Sequence, residues 1–539
     1  VSTDYPCLEE AIPEEAMTAP AKVTYISLSA DDPATDAGFE AAIADARARL
    51  GGNHPLRVAG ESRPGGGVIE RRSPSDTRVV VARVATATEA DVRDAVAAAR
   101  AAFPAWSATP FAARAAIIDK AAAIVRRRRF ELAVSMIHEM GKNRVEALGE
   151  IEETADLLLY YSEELRKNDG YVRPMGQLVP TDRNTSVLRP YGVWAVIAPW
   201  NFPYALLGAP LAAALVTGNT VVCKPSSETP LSGVKLVEIF AEAGLPAGAL
   251  SCLPGSGRVV GDGLTGHPDV AGVTFTGSYD VGYGLYRRFS TDYPKPAVIE
   301  MGGKNPALVM ASADLDQAVQ GIVRSAFGMN GHKCSACSRV YVHRDVADDF
   351  TARLARAADA IVLGDPLGKG VFAGPVATRA SYDDYARYVE LARAAGPGVV
   401  RAGGRQVSDG AFAHGWFVRP TVLAGLPREH QLLREELFDP IVAVQTVASL
   451  DEALAEANDT KFGLTAGLFS RDKAEVEAFF DRIEAGVVYV NRAAGATTGA
   501  WPGVQPFGGW KGSGSTGKNI GGHYTLLCYL REQSRTVSA

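Results

Sequence analysis

The changes of period between Gly192 and Gly302 constrain the fold of this chain more than any other feature. Five short apolar runs, GVWAVIAP, TVVCKP, ALSCLP, VAGVTFTG and KPAVIEMG, each have the length of a buried strand. Helix-length text lies between them. PYALLGAPLAAALVTG is closed by Gly218, and a second helix is capped by Thr229, opened by Pro230 and ended near Gly244. Strands alternating with helices of this length imply an α/β fold with a parallel, doubly wound sheet covered on both faces. Such a sheet offers a ligand crevice at the carboxyl ends of its strands.

The alternation resumes after Gly302. SADLDQAVQGIVRSAF reads as a helix delivering the chain to Cys334, SRVYVH as the strand that leaves it, and further alternation runs to AGVVYVNR, ending at Arg492. Upstream, TEADVRDAVAAARAAF makes Thr88 an N-cap with Asp91 three residues on, and Val92, Val96, Ala99 and Phe103 share one face. More helix is expected from Arg114 to Tyr161. The first sixty or so residues show no core pattern and read as an arm laid over the main body.

Composition removes several classes of function. A net charge of −6 over 539 residues argues against a polyanion-binding surface, and no nucleic-acid partner is expected. The one strong basic run, Arg126 to Arg129, sits in helix-like text with acidic neighbours and reads as a solvated helix. The longest apolar run, Ala205 to Val216, is broken by Gly208 and Pro210 and falls short of the ~18 residues a membrane span needs. The chain opens on VSTDYPCLEEAIPEE, without a charged-then-apolar leader, and its six cysteines show no framework spacing. A reducing cytoplasm and no membrane partner are the expectation.

The stretch GMNGHKCSACSR, from Gly328 to Arg339, carries two cysteines three residues apart. A zinc site needs a second pair or spaced histidines, and neither is present in the sequence. A redox pair normally opens a helix, whereas this one enters a strand. His332 is too close in sequence to serve Cys334 as a base, because such partners come from distant sequence, and it reads as structural. No metal is expected, and Cys337 reads as a small packed residue.

GMNGHKCSACSR resembles the nucleophile loop of the aldehyde dehydrogenase superfamily. Four more stretches match that family in order: PWNFP from Pro199, FTGS from Phe275, EMGGKNP from Glu300 and EELFDP from Glu435. The resemblance runs from about Arg57 to the end of the chain. It implies that the Cys334 thiolate adds to an aldehyde carbon and that the oxyanion is held by the Asn201 amide and the Cys334 N–H. Hydride then leaves to a nicotinamide, and Glu300 activates the water that hydrolyses the thioester. It also implies a cofactor site, for NAD with NADP not excluded. Lys224 would contact the adenosine ribose, Gly277 and Ser278 the pyrophosphate, and Glu436 the nicotinamide ribose, with Phe438 and Trp200 beside it. Ser227 stands where many NAD-preferring members carry an acid, with Glu228 one residue later. PGSGRVVGDG, from Pro254 to Gly263, tempts one toward a dinucleotide fingerprint, but its glycines are read as serving a tight turn and close packing.

Within the family, KCSACSR and NRAAGATTGAWPGVQPFGG are most similar to members that oxidise L-glutamate γ-semialdehyde to L-glutamate in proline breakdown. That likeness implies Gly499 and Ala500 N–H groups on the substrate's α-carboxylate, help from Ser335, and Phe202 and Phe507 boxing its aliphatic chain. Trp501-Pro502 replaces smaller aliphatics and His332 replaces a common glutamine. Trp501 is either a packing or interface residue or a substrate contact. Other semialdehydes or aliphatic aldehydes are the alternative substrates. A CoA-acylating relative is the alternative of another class, although Glu300 argues for hydrolysis.

The resemblance also implies a homo-oligomer, a dimer or higher, assembled through the tail from Tyr524 read as a strand and a hairpin near Thr181 to Pro190. The expected organisation is an N-terminal arm over 1–60 and a Rossmann-type dinucleotide-binding domain over 61–301, interrupted by the oligomerisation hairpin near 181–191. An α/β catalytic domain over 302–492 follows, then the substrate-anchor loop and C-terminal segment over 493–539.

Overall fold

The computed structural model of the chain describes Thr24 and residues 32–538. Two seven-stranded sheets form its frame. The five apolar runs become Val193–Ile197, Thr220–Lys224, Leu250–Cys252, Val270–Thr276 and Ala297–Glu300, paired in parallel. Successive residues enter different cores. Trp194, Val196, Val221 and Cys223 pack on the side of the helices Ala205–Val216 and Pro230–Glu242. Val193, Ala195, Ile197 and Val222 meet the helix Glu89–Ala108. Burial on both faces explains why these strands read as continuous apolar runs.

The sheet ends in two antiparallel strands, Leu56–Val58 and Glu61–Arg63. Of the arm expected over 1–60, the described residues lie against the main body. The helix Pro33–Arg47 buries Phe39 and Ile43, with the Phe39 ring edge-on to Phe130 at 5.3 Å, and Leu56–Val58 already belongs to the sheet. The rest of the arm lies outside the described residues.

The second sheet runs in the order Val400–Ala402, Thr421–Ala424, Ile441–Val447, Cys337–His343, Asn305–Val309, Thr465–Phe469 and Val487–Val490, antiparallel only at the first pair. The helix Leu315–Phe327, capped by Asp314, delivers the chain to the nucleophile loop between the two sheets.

Several local expectations need correction. Thr229 precedes the helix Pro230–Glu242, but its hydroxyl makes no cap bond. The buried Glu139 carboxylate accepts the Leu231 and Ser232 N–H groups instead, both at 2.8 Å. Thr88 caps as expected, in a box with Asp91. The run Arg126 to Arg129 straddles the break between the helices Phe111–Arg127 and Arg129–Met140, and it is ion-paired to Glu131, Glu152, Asp156 and Glu242. Of the glycines from Pro254 to Gly263, Gly255 (φ +155°) makes the tight turn against Val260. A Cβ at Gly263 would meet Val92 at 3.3 Å, the close packing expected, whereas at Gly257 or Gly261 it would touch nothing within 4 Å.

The apolar tail text is not a strand. Thr525–Tyr529 is a 3₁₀ turn that buries Leu526 and Tyr529, and the Tyr529 ring lies 4.7 Å from Trp194. The strand follows at Leu530–Ser538. It pairs antiparallel with Asp182–Pro190 of the same chain, next to Val172–Pro174, in a three-stranded sheet.

Candidate active site

The carboxyl ends of the first sheet gather the expected residues, as the topology requires. Ile197 lies beside Lys224, and Thr276 beside Glu300. The chain leaving Ile197 carries Trp200, Asn201 and Phe202, and the chain leaving Thr276 carries Gly277 and Ser278. Ser278 stands at the N-cap of the helix Tyr279–Phe289 without a side-chain cap bond.

The nucleophile loop approaches from the second sheet. Met329, Asn330 and Gly331 are all left-handed, with φ of +53°, +53° and +71°. Two residues of this kind without the freedom of glycine need holding from outside. The Met329 N–H donates to Glu146 Oε1 at 2.6 Å, and Asn330 Nδ2 to the Pro375 carbonyl at 2.9 Å. Asn305 Nδ2 ties the Cys334 and Ala336 carbonyls at 2.7 and 2.9 Å. Asn201 Nδ2 donates to the His332 carbonyl at 3.1 Å, which fixes the amide beside this loop and leaves it a second N–H.

His332 is buried between Trp200, edge-on at 4.8 Å, and Phe438, nearly parallel at 5.9 Å. Burial and the Lys142 ammonium push its imidazole down to about 3, so it is neutral and structural. Cys337 is buried at the start of its strand.

Cys334 is half-buried. Burial and the carboxylates of Glu300 and Glu436 raise its thiol well above the ordinary value, while the N–H groups of Ser335 and Cys334 act in the other direction. Burial alone lifts Glu300 to about 8, and among the described residues its Oε1 has no hydrogen-bond partner. Glu436 is pushed to about 7 by burial, against the Gly303 N–H at 2.9 Å and the Lys304 ammonium. Lys224 is lowered to about 8 by burial, and its ammonium donates to the Pro225 carbonyl at 3.1 Å. Ser227 Oγ donates to the Gly255 carbonyl at 3.1 Å, and Glu228 is held by Arg71 at 2.5 Å.

A cavity of about 650 Å³ opens on the other side of Cys334. Phe202, Ser335, Gly499, Ala500 and Phe507 all line it, so the five expected substrate positions meet the nucleophile in one space. Asn201 and Glu300 are not among its lining residues; Asn201 is held against the loop of Cys334 through the His332 carbonyl, and the Glu300 carboxylate acts on the Cys334 thiol. Arg492 donates to the Thr498 and Gly499 carbonyls at 3.0 and 3.1 Å, fixing the loop that carries Gly499.

Sequence reading missed Glu153 and Arg492 in the cavity wall. It also missed the buried pair Lys142–Glu150, whose carboxylate accepts the Tyr204 and Ala205 N–H groups at 2.8 and 3.2 Å, just after Asn201 and Phe202. Only the Asn143-to-Glu146 capping spacing hinted at any of this.

Residues 62–534 match the aldehyde dehydrogenase family. The 1-pyrroline-5-carboxylate dehydrogenase of Geobacillus kaustophilus (strain HTA426) is 40% identical over 506 residues, 93% of this chain and 95% of the relative. A solved 1-pyrroline-5-carboxylate dehydrogenase from Thermus with bound NAD superposes with a TM-score of 0.89 at 34% identity, over 94% of this chain and 97% of that one. Proline utilization A from Bdellovibrio bacteriovorus, inactivated by N-propargylglycine, gives 0.88 at 35% identity over 93% of this chain, which spans 52% of that protein. The chain belongs to the aldehyde dehydrogenase family and is an aldehyde-oxidising enzyme.

Proposed function

We propose that this enzyme oxidises L-glutamate γ-semialdehyde to L-glutamate with NAD, through a thiohemiacetal and a thioester on Cys334. The observation that carries the substrate reading is the single cavity joining Cys334 to Phe202, Ser335, Gly499, Ala500 and Phe507. Phe202 and Phe507 box the aliphatic chain. The backbone at Gly499 and Ala500 receives the α-carboxylate with Ser335 beside it, and Glu153 supplies a carboxylate for the ammonium. The relatives named 1-pyrroline-5-carboxylate dehydrogenase support the same substrate.

The groups on the cofactor side fit a dinucleotide. Glu300, Lys224 and Glu436 are buried polar groups with few partners, and such groups are costly unless a ligand completes them. Lys224 and Ser227 would hold the adenosine ribose, Gly277 and Ser278 the pyrophosphate, and Glu436, Phe438 and Trp200 the nicotinamide end. Ser227 stands at the ribose end and Glu228 is engaged by Arg71, an arrangement that does not repel a 2′-phosphate, so NADP is the alternative cofactor.

Cys334 starts as a thiol, and Glu300 is the carboxylate that takes its proton as sulfur bonds to the aldehyde carbon. The carbonyl oxygen gains the negative charge, which the second Asn201 N–H and the Cys334 N–H stabilise. Loss of one such donor costs roughly 3–4 kcal/mol of barrier. When bound, the nicotinamide supplies the hydride acceptor for the carbon held on Cys334. Glu300 releases the thiol's proton to solvent and, again a carboxylate, takes a proton from water as the water oxygen adds to the thioester. The C–S bond breaks, the acid leaves, and Glu300 returns this proton to the Cys334 thiolate.

A cytoplasmic homodimer or larger assembly completes the proposal. Among the described residues no helix is long and apolar enough to cross a membrane. The three-stranded arm exposes Val172, Met175, Leu178, Val179 and Val537, an apolar set suited to another subunit. We assign residues 61–301 to cofactor binding, 302–492 to catalysis and 493–539 to substrate anchoring and assembly.

The test compares NAD-dependent turnover of glutamate γ-semialdehyde with that of glutarate semialdehyde, succinate semialdehyde and simple aliphatic aldehydes. Preference for an aldehyde lacking the α-amino-acid end overturns the substrate assignment. Dependence on added CoA for turnover overturns the hydrolytic one.

A further inference from the structure

Two features of the sequence have no part in this chemistry: the basic run at Arg126 and the unusual Trp501-Pro502 in the anchor loop. The structure joins them. Trp501 is 6% exposed, lines the cavity at Cys334, and donates from its indole Nε1 to Asp156 Oδ2 at 2.7 Å. The other carboxylate oxygen, Oδ1, accepts from Arg126 Nη2. Arg126 Nε donates to Glu152 Oε2 at 3.2 Å, and Arg129 Nη1 donates to Glu152 Oε1 at 3.5 Å. Glu152 and Asp156 are four residues apart on the helix Arg144–Lys167, so one face of it carries both acids of the relay, while Arg126 and Arg129 come from the helices Phe111–Arg127 and Arg129–Met140.

The loop at the cavity end of this relay is closed on itself. The Trp501 N–H donates to the Gln505 carbonyl at 3.1 Å and the Gln505 N–H to the Trp501 carbonyl at 2.9 Å. On the near side Arg492 takes the Thr498 and Gly499 carbonyls. Gly499 (φ +118°) and Ala500 therefore sit between two clamps, Arg492 before them and Trp501 after them. A smaller aliphatic residue at 501 could fill space but has no N–H with which to reach Asp156.

We propose that Trp501, tethered through Asp156 to Arg126, is a specificity-determining positioning residue that holds the Gly499–Ala500 backbone in register with Cys334 for an aldehyde bearing an α-amino-acid end. This deepens the substrate reading above and rests on it. The tether acts on the far end of the substrate, so an aldehyde too short to reach the loop does not feel it.

The experiment measures kcat/KM for glutamate γ-semialdehyde and for propanal in W501F, D156A and the double variant, with thermal unfolding checking that each folds. W501F keeps an aromatic ring in the wall but removes the N–H together with part of the indole, so D156A, which leaves the indole whole, is the cleaner cut of the tether. Each single change lowers the ratio of the two kcat/KM values about tenfold, the scale of one hydrogen bond to a charged group. The double variant loses no more, because both changes cut the same link. D156N, which keeps an acceptor for the indole but releases the Arg126 charge, falls between. A packing role alone lowers both substrates together, so an unchanged ratio overturns the proposal, as do additive losses in the double variant. If the parent itself prefers glutarate semialdehyde, the substrate reading fails separately. The tether is then judged on that aldehyde against propanal, where a fall in the W501F ratio sustains it and no change overturns it.

Discussion

On the substrate side of Cys334 the polar groups that shape the wall are engaged by the protein itself, whereas on the cofactor side they are buried with few partners. Arg492 holds two carbonyls, Trp501 holds Asp156, and Lys333 donates to the Arg324 carbonyl at 3.0 Å. Across the nucleophile, Glu300 Oε1 has no partner among the described residues, Glu436 accepts from Gly303, and Lys224 reaches only its neighbour's carbonyl. The satisfied wall still holds buried titrating groups, since burial lowers Lys333 to about 8 and raises Glu146. Lone buried charges respond by shifting their protonation, as Glu300 and Glu436 do. Among these groups Glu300, lifted to about 8 by burial and with no partner for Oε1 among the described residues, is the one whose ionisation the proposed chemistry needs.

The largest effect falls where the two sides meet. C334A is expected to lower kcat by about 10⁴-fold or more, because the proposed chemistry joins substrate to protein through this sulfur. Nicotinamide binding, read by quenching of protein fluorescence, persists in that variant, since no group on the cofactor side is touched. Residual turnover within tenfold of the parent breaks the scheme.

E300Q comes next and tests the contrast directly. General-base catalysis contributes about 10²–10⁴-fold. The parent's kcat/KM should climb as pH rises toward 8, where Glu300 ionises, and the variant should lose that limb along with most of its rate. Stability carries the same signature with a definite sign. The Glu300 pKa rises in the folded chain from an ordinary 4.5 to about 8. Below pH 4.5 both states hold the proton and nothing changes. Above it the unfolded chain sheds the proton first, so stability falls by about 1.4 kcal/mol for each further rise of one in pH, until pH passes the folded value. E300Q removes this slope. It should unfold like the parent at pH 4 and be more stable by a few kcal/mol at pH 9. Parallel curves for the two proteins would place the carboxylate in contact with water.

Much of the cofactor side was legible because its chemistry sits on strand ends, and strands announce themselves by unbroken apolar text. Cys334, Glu300, Asn201 and Lys224 all fall in or beside such runs. The supports of the substrate side were not legible. Glu146, Glu150 and Asp156 lie in EALGEIEETADLLLYY, where spacing marks the apolar face but not which acids are drawn into the protein by distant partners. Glu150 is buried because Lys142 and the N–H groups of Tyr204 and Ala205 await it, and those contacts exist only in three dimensions. The tail misled for a related reason. YTLLCYL is apolar because it packs under Trp194, while the strand that follows it is polar, with its outer residues in solvent.

The smallest effect probes how far the open character of the cofactor side extends. Gly261 has helical angles, φ −62° and ψ −54°, and is buried, yet an added Cβ would touch nothing within 4 Å. Alanine fits that backbone, and replacing glycine in a helix stabilises by about 0.5–1 kcal/mol. The turn it belongs to also carries Gly255, whose carbonyl accepts from Ser227 at the expected ribose end. If the empty space is kept for the dinucleotide, G261A should melt slightly higher than the parent while its KM for NAD rises about two- to threefold, and its KM for the aldehyde stays put. An unchanged NAD KM with the same gain in stability would confine the lone, ligand-completed groups to Lys224, Glu300 and Glu436. The fingerprint-like glycines would then be features of the turn alone.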